Sequence, residues 1–261
     1  MPSLITLTTD FGLRDHFVAA MKGVIFSLAP RAQVVDLSHE ITPFDIAEAA
    51  RFIAEASRWF PRKTIHVVVV DPGVGTARRP ILVECNGQYF VGPDNGVFGQ
   101  IYGRMPHKIR HLSNAKYFLK PVSQTFHGRD IFAPVAAHLA SGVRPAQFGK
   151  LIQDYLRIRI ERPERTGHRT WAGSIQRIDR FGNLITNFHI DEFPAVRERP
   201  FVLTAGVHPV SRLVNSYAET PAGELAVIAG SSGFLEVCMN QQSAAQFTRC
   251  GAGAPVELAI Y

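Results

Sequence analysis

The stretch His66–Arg79, HVVVVDPGVGTARR, constrains the fold of this chain more than any other. Four consecutive valines bounded by Pro-Gly turn chemistry read as a short strand buried on both faces, the environment of a strand inside a helix-covered parallel sheet. Asp71 then stands at the carboxyl end of that strand. In open α/β sheets the crevice beyond those ends is where ligands bind. Asp-Pro-Gly is equally ordinary turn chemistry, so these residues alone leave Asp71 either as a site carboxylate or as the start of a turn.

The surrounding sequence repeats the same grammar up to about residue 150. LITLTTD predicts a strand, and Phe17, Ala20, Met21, Val24, Ile25 and Leu28 then fall at helical spacing. QVVDLS predicts a second strand, and DIAEAARFIAEASRWF a helix that Asp45 caps. ILVECNGQYFVG reads as a hairpin around Asn86-Gly87, a pair suited to a type I′ turn. DIFAPVAAHLASG reads as a helix stopped by Gly142. Repeated β-α-β units predict a mostly parallel sheet covered by helices. Beyond RPERTGHR the period changes to short strands separated by Gly, Asn and Pro, which predicts a small antiparallel barrel or sandwich. The expected division is an α/β domain over 1–160, a linker over 161–169 and a β domain over 170–261.

Composition narrows the class. With 261 residues, 46% hydrophobic and 19% charged, the chain has material for a large core, and no apolar run approaches the ~20 residues that cross a bilayer. MPSLITLTTDFG enters a strand pattern directly without the look of a signal peptide, so a cytoplasmic protein without membrane contact is expected. Cys85, Cys238 and Cys250 are too scattered for a disulfide framework or a structural zinc site. The net charge of +6 concentrates in RIRIERPERTGHRTW, with Arg157, Arg159, Arg162, Arg165 and Arg169. Glu161 and Glu164 interrupt it and no nucleic-acid motif accompanies it, so a solvated linker is expected and a nucleic-acid partner is not.

Polar clusters stand at predicted strand and loop ends: Asp10 in TTDFG, Asp71 and Arg78 in DPGVGTARR, Asp94 and Asn95 in VGPDNGVFG, and His127 in TFHGRD. The β half adds Asp179 and Asn183 in DRFGNLITN, and Ser231, Ser232 and Glu236 in GSSGFLE. Acids at strand ends suit sugar hydroxyls. GVGTARR lacks the G-K-[ST] ending of a phosphate loop, no G-x-G-x-x-G opens the first helix, and G-x-S-x-G is absent. The histidines show no metal-ligand spacing, so no metal is expected.

TTDFG, VVDPGVGT, GPDNGV, FHGRDIF, DRFGNLITN, YAE and GSSGFLE, in this order across nearly the whole chain, resemble the S-adenosylmethionine hydrolases, also called S-adenosylmethionine hydroxide adenosyltransferases. The fluorinase and chlorinase are their halogenating relatives. The resemblance implies an N-terminal Rossmann-like α/β/α domain, a C-terminal antiparallel β-barrel, and a homotrimer with its site at the subunit interface. It implies hydrolysis of S-adenosyl-L-methionine to adenosine and L-methionine with no cofactor, the substrate itself being the activated species.

By the same resemblance Asp71, Arg78 and His127 surround the attacking water, orienting it, accepting its proton and stabilising hydroxide character. Asp10 holds the ribose hydroxyls, with Phe44 and Phe126 beside the substrate. Asp179 meets the methionine amine, Asn183 the adenine, and Phe181 and Tyr217 sandwich the base. Ser231 contacts the methionine carboxylate, and Asp94, Asn95 and Glu236 belong to the same binding motifs. Where the halogenases follow the serine with an arginine this chain has Ser232, so that carboxylate needs another donor. Halide transfer and non-catalytic binding of adenosine or S-adenosylmethionine are the competing readings.

Overall fold

The computed structural model describes residues 3–103, 105–158 and 161–261, so Arg159 of the basic segment lies outside the described residues. The chain divides into two compact units, Met1–Ile160 and Glu161–Tyr261.

The first unit is a three-layer α/β/α structure. Its elements run β1 (Leu4–Thr9), α1 (Phe17–Leu28), β2 (Gln33–Ser38), α2 (Ile46–Ala56), β3 (Ile65–Val69), β4 (Pro80–Cys85), β5 (Gln88–Pro93), α3 (Gly99–Tyr102), β6 (His107–His111) and α4 (Ala133–Ala140). A π-helical turn, Gly128–Phe132, leads into α4. The sheet order is β2-β1-β3-β5-β4-β6. The β2-β1, β1-β3 and β3-β5 pairs are parallel, and the hairpin β4-β5 and the pair β4-β6 are antiparallel.

The valine run explains the layering, because side chains alternate across a strand. Val67 and Val69 join a core with Ile5, Leu7 and α1 residues Met21 and Ile25, while Val68 joins a second core with α2 residues Ala49 and Ile53. β3 is buried along its whole length. Local signals place the other elements. Asp45 caps α2 by accepting from Glu48 N–H at 2.8 Å, and Asn86 and Gly87 turn the β4-β5 hairpin with φ of 49° and 73°.

The second unit is a curled, mostly antiparallel sheet. It comprises β7 (Glu164–Arg165), β8 (Thr170–Ile178), β9 (Leu184–His189), β10 (Phe201–Ala205), β11 (His208–Val210), β12 (Leu213–Val214), β13 (Ala226–Ala229), β14 (Phe234–Cys238) and β15 (Pro255–Ile260), with one five-residue helix, α5 (Ala244–Thr248). The order is β11-β10-β15-β8-β9-β14-β13-β12. β8 turns the corner: Thr170–Ser174 pair with β15, Ile175–Ile178 pair with β9, and a bulge separates Ile175 from Arg177. The barrel stays open, since among the described residues β11 and β12 pair with their own neighbours and not with each other.

The stretch 161–169 is exposed at all but one position and carries one short strand. Glu164 and Arg165 form β7 against Ala172 and Trp171, and the Arg165 guanidinium lies 5.9 Å over the Trp171 ring. Its donors are spent locally on the carbonyls of Gly167 and His168. No helix among the described residues is long and apolar enough to cross a membrane.

An ion cluster centred on the buried Asp94 ties the chain after β6 to the sheet. Asp94 follows β5 with its side chain 4% exposed, accepting from Arg79 Nη2 at 2.8 Å and from the Leu156 backbone N–H at 2.9 Å. Arg79 also donates to Asp154 Oδ1 at 2.9 Å. Removing one partner of such a pair strands the other, so Asp94→Ala is expected to cost roughly 3 kcal/mol in chemical denaturation. An unchanged denaturation midpoint would show that the cluster does not hold this segment.

His66 supplies a second test. It is fully buried on β3, shares a 2.7 Å hydrogen bond with Thr6 Oγ1 and stacks on Phe90 at 4.9 Å. Burial pulls its pKa down from 6.5 to about 4. Between those values the unfolded chain binds a proton that the folded chain refuses, so stability is full above pH 6.5 and is lost as pH falls to about 4, by on the order of 3 kcal/mol. His66→Gln keeps a partner for Thr6 without titrating, and its stability is expected to vary less across that window.

Candidate active site

The order of the first sheet creates a crevice. From β1 the chain goes outward to β2 on one side and then to β3 on the other, so the carboxyl ends of β1 and β3 flank a topological switch point. Thr9 and Val69 are register partners there, and Asp10 and Asp71 follow them. A cleft of about 240 Å³ opens at this place, lined among others by Asp10, Phe44, Asp71, Phe126 and His127.

Arg78 is the centre of the cluster. Its Nε donates to Asp71 Oδ1 at 2.9 Å, and its Nη2 donates to both Asp71 Oδ2 and His127 Nδ1, the latter at 2.7 Å. The side chains of Arg78 and Asp71 are 8% and 4% exposed. This is a two-point fork on a carboxylate, the geometry that guanidinium matches and ammonium does not.

Two loops have to meet for this to form. Gly75 makes that approach: at φ 77° it adopts a backbone that L side chains avoid, and a Cβ there would lie 2.3 Å from the Gln124 carbonyl. The DPGVGT loop therefore touches the loop that carries His127. The glycines of the opening motif serve close loop packing, not phosphate binding.

The Arg78 contact fixes the state of His127. A guanidinium only donates, so Nδ1 offers its lone pair and the neutral ring carries its proton on Nε2. Burial and then the Arg78 charge lower the pKa of His127 below the ordinary value, against the opposing pull of Asp71, Asp130 and the Ser123 carbonyl. The ring is neutral at neutral pH.

Asp10 and Phe44 form the rim. Phe44 N–H donates to Asp10 Oδ2 at 2.9 Å, and Phe44 is held at φ 69° with 70% of its surface exposed. A non-glycine residue in the left-handed region stores strain, of a kind that concentrates at ligand sites. Phe11, Phe17 and Phe126 make an edge-on aromatic group beside it, with ring centroids 5.2–6.1 Å apart.

Asp94 and Asn95 do not line this cleft. Asp94 serves the ion cluster described above, and Asn95 Nδ2 donates to the Val70 carbonyl at 2.9 Å, bracing the peptide just before Asp71. Every hydrogen bond they make is to backbone or to Arg79. Conversely, Phe11, Pro43, Val74 and Thr125 line the cleft without having been singled out from sequence. Their only signal is adjacency to Asp10, Phe44, Asp71 and His127.

In the second unit the predicted residues gather at two turns. Asp179 accepts from the backbone N–H groups of Phe181 and Asn183 and from Asn183 Nδ2, all at 2.9 Å, which shapes the β8-β9 turn and leaves Phe181 77% exposed. Tyr217 donates to the buried Glu236 carboxylate at 3.2 Å. Burial, and then the Glu236 charge, push Tyr217 up to about 12. Ser231 and Ser232 occupy the tight β13-β14 turn between Gly230 and Gly233. Among the described residues no group of three or more His, Cys, Asp or Glu forms a metal-ligand set.

Comparison with known proteins places the chain in a family. The chain matches the SAM hydroxide adenosyltransferase N-terminal domain over residues 5–149 and the corresponding C-terminal domain over 173–257. A protein of Thermus thermophilus named (R)-S-adenosyl-L-methionine hydrolase is 37% identical, with 96% of this chain and 97% of the relative covered. The protein of that name in Salinispora tropica is 35% identical with 92% of each covered. A fluorinase of Nocardia brasiliensis is 26% identical over 98% of this chain and 97% of its own. The crystal structure of an uncharacterized conserved protein from Thermotoga maritima superposes with a TM-score of 0.91 at 34% identity, covering 98% of this chain and 99% of that one. Matched in both halves and along nearly its whole length, the chain belongs to the SAM hydroxide adenosyltransferase family.

Proposed function

We propose that this chain is an S-adenosyl-L-methionine hydrolase, releasing adenosine and L-methionine by attack of water on the ribose C5′. The observation that carries the reading is that Asp71 and His127, joined by the buried Arg78, both line the switch-point cleft. Relatives named as hydrolases at 35–37% identity, against 26% for a fluorinase, favour water over halide as nucleophile. Those relatives are named for the (R) form of the substrate, and the same sulfonium epimer is proposed here.

The sulfonium is already an activated leaving group, so the chemistry asks for no metal or cofactor. Water is the weak partner and has to be oriented and deprotonated as it attacks. Asp71 retains lone pairs beyond those that Arg78 uses, so it accepts the water proton. Arg78 stabilises the hydroxide character that develops. His127, accepting from Arg78 through Nδ1, holds the guanidinium beside the attacking water. The fork also cancels the Arg78 charge, so the cluster does not repel the cationic substrate.

Asp10 is the acceptor for the ribose hydroxyls, flanked by Phe44 and Phe126. The proposal includes a homotrimer in which a neighbouring subunit supplies Asp179, Asn183, Ser231 and Ser232 as polar contacts to the adenine and methionine portions, with Glu236 behind Tyr217. Exposed Phe181 and half-exposed Tyr217 suit stacking on a flat base. A cytoplasmic location completes the reading. A non-catalytic binder would need the rim and stacking residues but not a charge-cancelled cluster buried at the strand ends.

Incubation of the purified protein with each sulfonium epimer, with chloride or fluoride present, tests this. Adenosine and methionine are expected in equal amounts, faster from the (R) form, with no halogenated nucleoside. Asp71→Asn keeps the shape but removes the charge and is expected to lower kcat by ~10²–10⁴-fold with less effect on KM. Formation of S-adenosylhomocysteine or a halogenated nucleoside, or undiminished turnover by the variant, would contradict the assignment.

A further inference from the structure

The loop that delivers His127 is governed by a carboxylate outside the cluster. Asp130 is 1% exposed in the π-helical turn Gly128–Phe132. Its Oδ1 accepts from Arg129 Nε at 2.6 Å, and its Oδ2 accepts from Arg129 Nη2 at 2.9 Å and from the Ser123 N–H at 2.8 Å. Its carbonyl accepts from Leu119 N–H at 2.9 Å, and its own N–H donates to the Phe126 carbonyl at 3.1 Å. One residue therefore fastens the incoming chain at Leu119, Ser123 and Phe126.

Ser123 passes the constraint on. Its Oγ accepts from the Thr125 N–H at 3.1 Å, and Thr125 and His127 both line the cleft. A carboxylate is costly to bury unless paired, and simple loop anchoring is available from neutral groups. Wide π-turns inside helices are frequent at functional sites, where they re-aim a side chain. Here the turn begins immediately after His127.

We propose that Asp130 is a positioning residue for the hydrolysis: by fastening Ser123 it holds the loop on the course that brings His127 Nδ1 to Arg78. The inference rests on the hydrolase reading for its catalytic consequence, while the effect on the His127 ring stands apart from any substrate. The charged groups facing that ring are Arg78 and Asp71 from the loop after β3 and Asp130 from its own turn, so Asp130 is one of two carboxylates opposing the Arg78 charge.

The test is Asp130→Ala, which removes the acceptor that fastens Ser123, read by nitrogen NMR of the His127 ring in the free protein. The Nδ1 signal is expected to lose its hydrogen-bonded shift. In turnover assays kcat is expected to fall by on the order of 10–10²-fold with KM nearly unchanged. In a His127→Ala background the same substitution is expected to change kcat no further, since its action runs through the ring. A plain structural role predicts the opposite: an unmoved Nδ1 signal and a loss that persists undiminished without His127, and that result overturns the proposal. Should the wild-type protein release no adenosine, the hydrolase reading fails, and the Nδ1 signal alone decides for or against the positioning role. If Asp130→Ala does not fold, Asp130→Glu displaces the carboxylate with its charge kept and is read by the loss of the Nδ1 signal shift and by the same cycle.

Discussion

The site depends on one guanidinium. Arg78 is buried, and burying a charge is tolerable only when a partner and hydrogen bonds replace the lost water. Asp71 supplies the fork, His127 accepts from the same nitrogen, and the guanidinium lies 5.4 Å over the Phe132 ring. Its Nη1 is buried with no hydrogen-bond partner among the described residues. The arrangement is also electrically quiet: one carboxylate, one guanidinium and a neutral ring suit a cationic substrate.

Everything else in the first unit serves the meeting of two loops. The parallel strands bring the ends of β1 and β3 side by side, and the two cores above and below the sheet hold β3 rigidly enough for Asp71 to be a fixed point. Asn95 braces the peptide before Asp71, Gly75 lets the DPGVGT loop close on Gln124, and Asp130 fastens the loop from the other side. Preorganised dipoles and charges of this sort stabilise a developing charge without paying for reorganisation during the reaction.

Much of this was legible in the amino-acid order, for stated reasons. The four valines betrayed a strand buried on both faces, Asp45 announced a helix start, and Asn86-Gly87 announced a hairpin, because each signal is local. The family resemblance carried the polar motifs, and Asp10, Phe44, Asp71, Phe126 and His127 do converge on one cleft. What sequence could not reveal was partnership. Asp94 sits in a motif beside Asn95, and its partners Arg79 and Leu156, with Asp154 beyond Arg79, are fixed only by tertiary folding. Asp130 likewise lay inside a recognised motif without a role, since its contact with Ser123 is a property of the loop's course. The two-residue strand Glu164–Arg165 inside the linker was not legible, because so short a strand has no periodicity to detect.

The central claim is that the Asp71–Arg78–His127 cluster aims water at the ribose C5′. The most direct measurement is turnover in heavy-oxygen water followed by mass spectrometry of both products. The account predicts that the label appears in the 5′-hydroxyl of adenosine and that methionine carries none. Unlabelled adenosine, or label in methionine, would mean that a different bond is broken or that a different nucleophile breaks it, and would return Asp71 to the role of a turn residue.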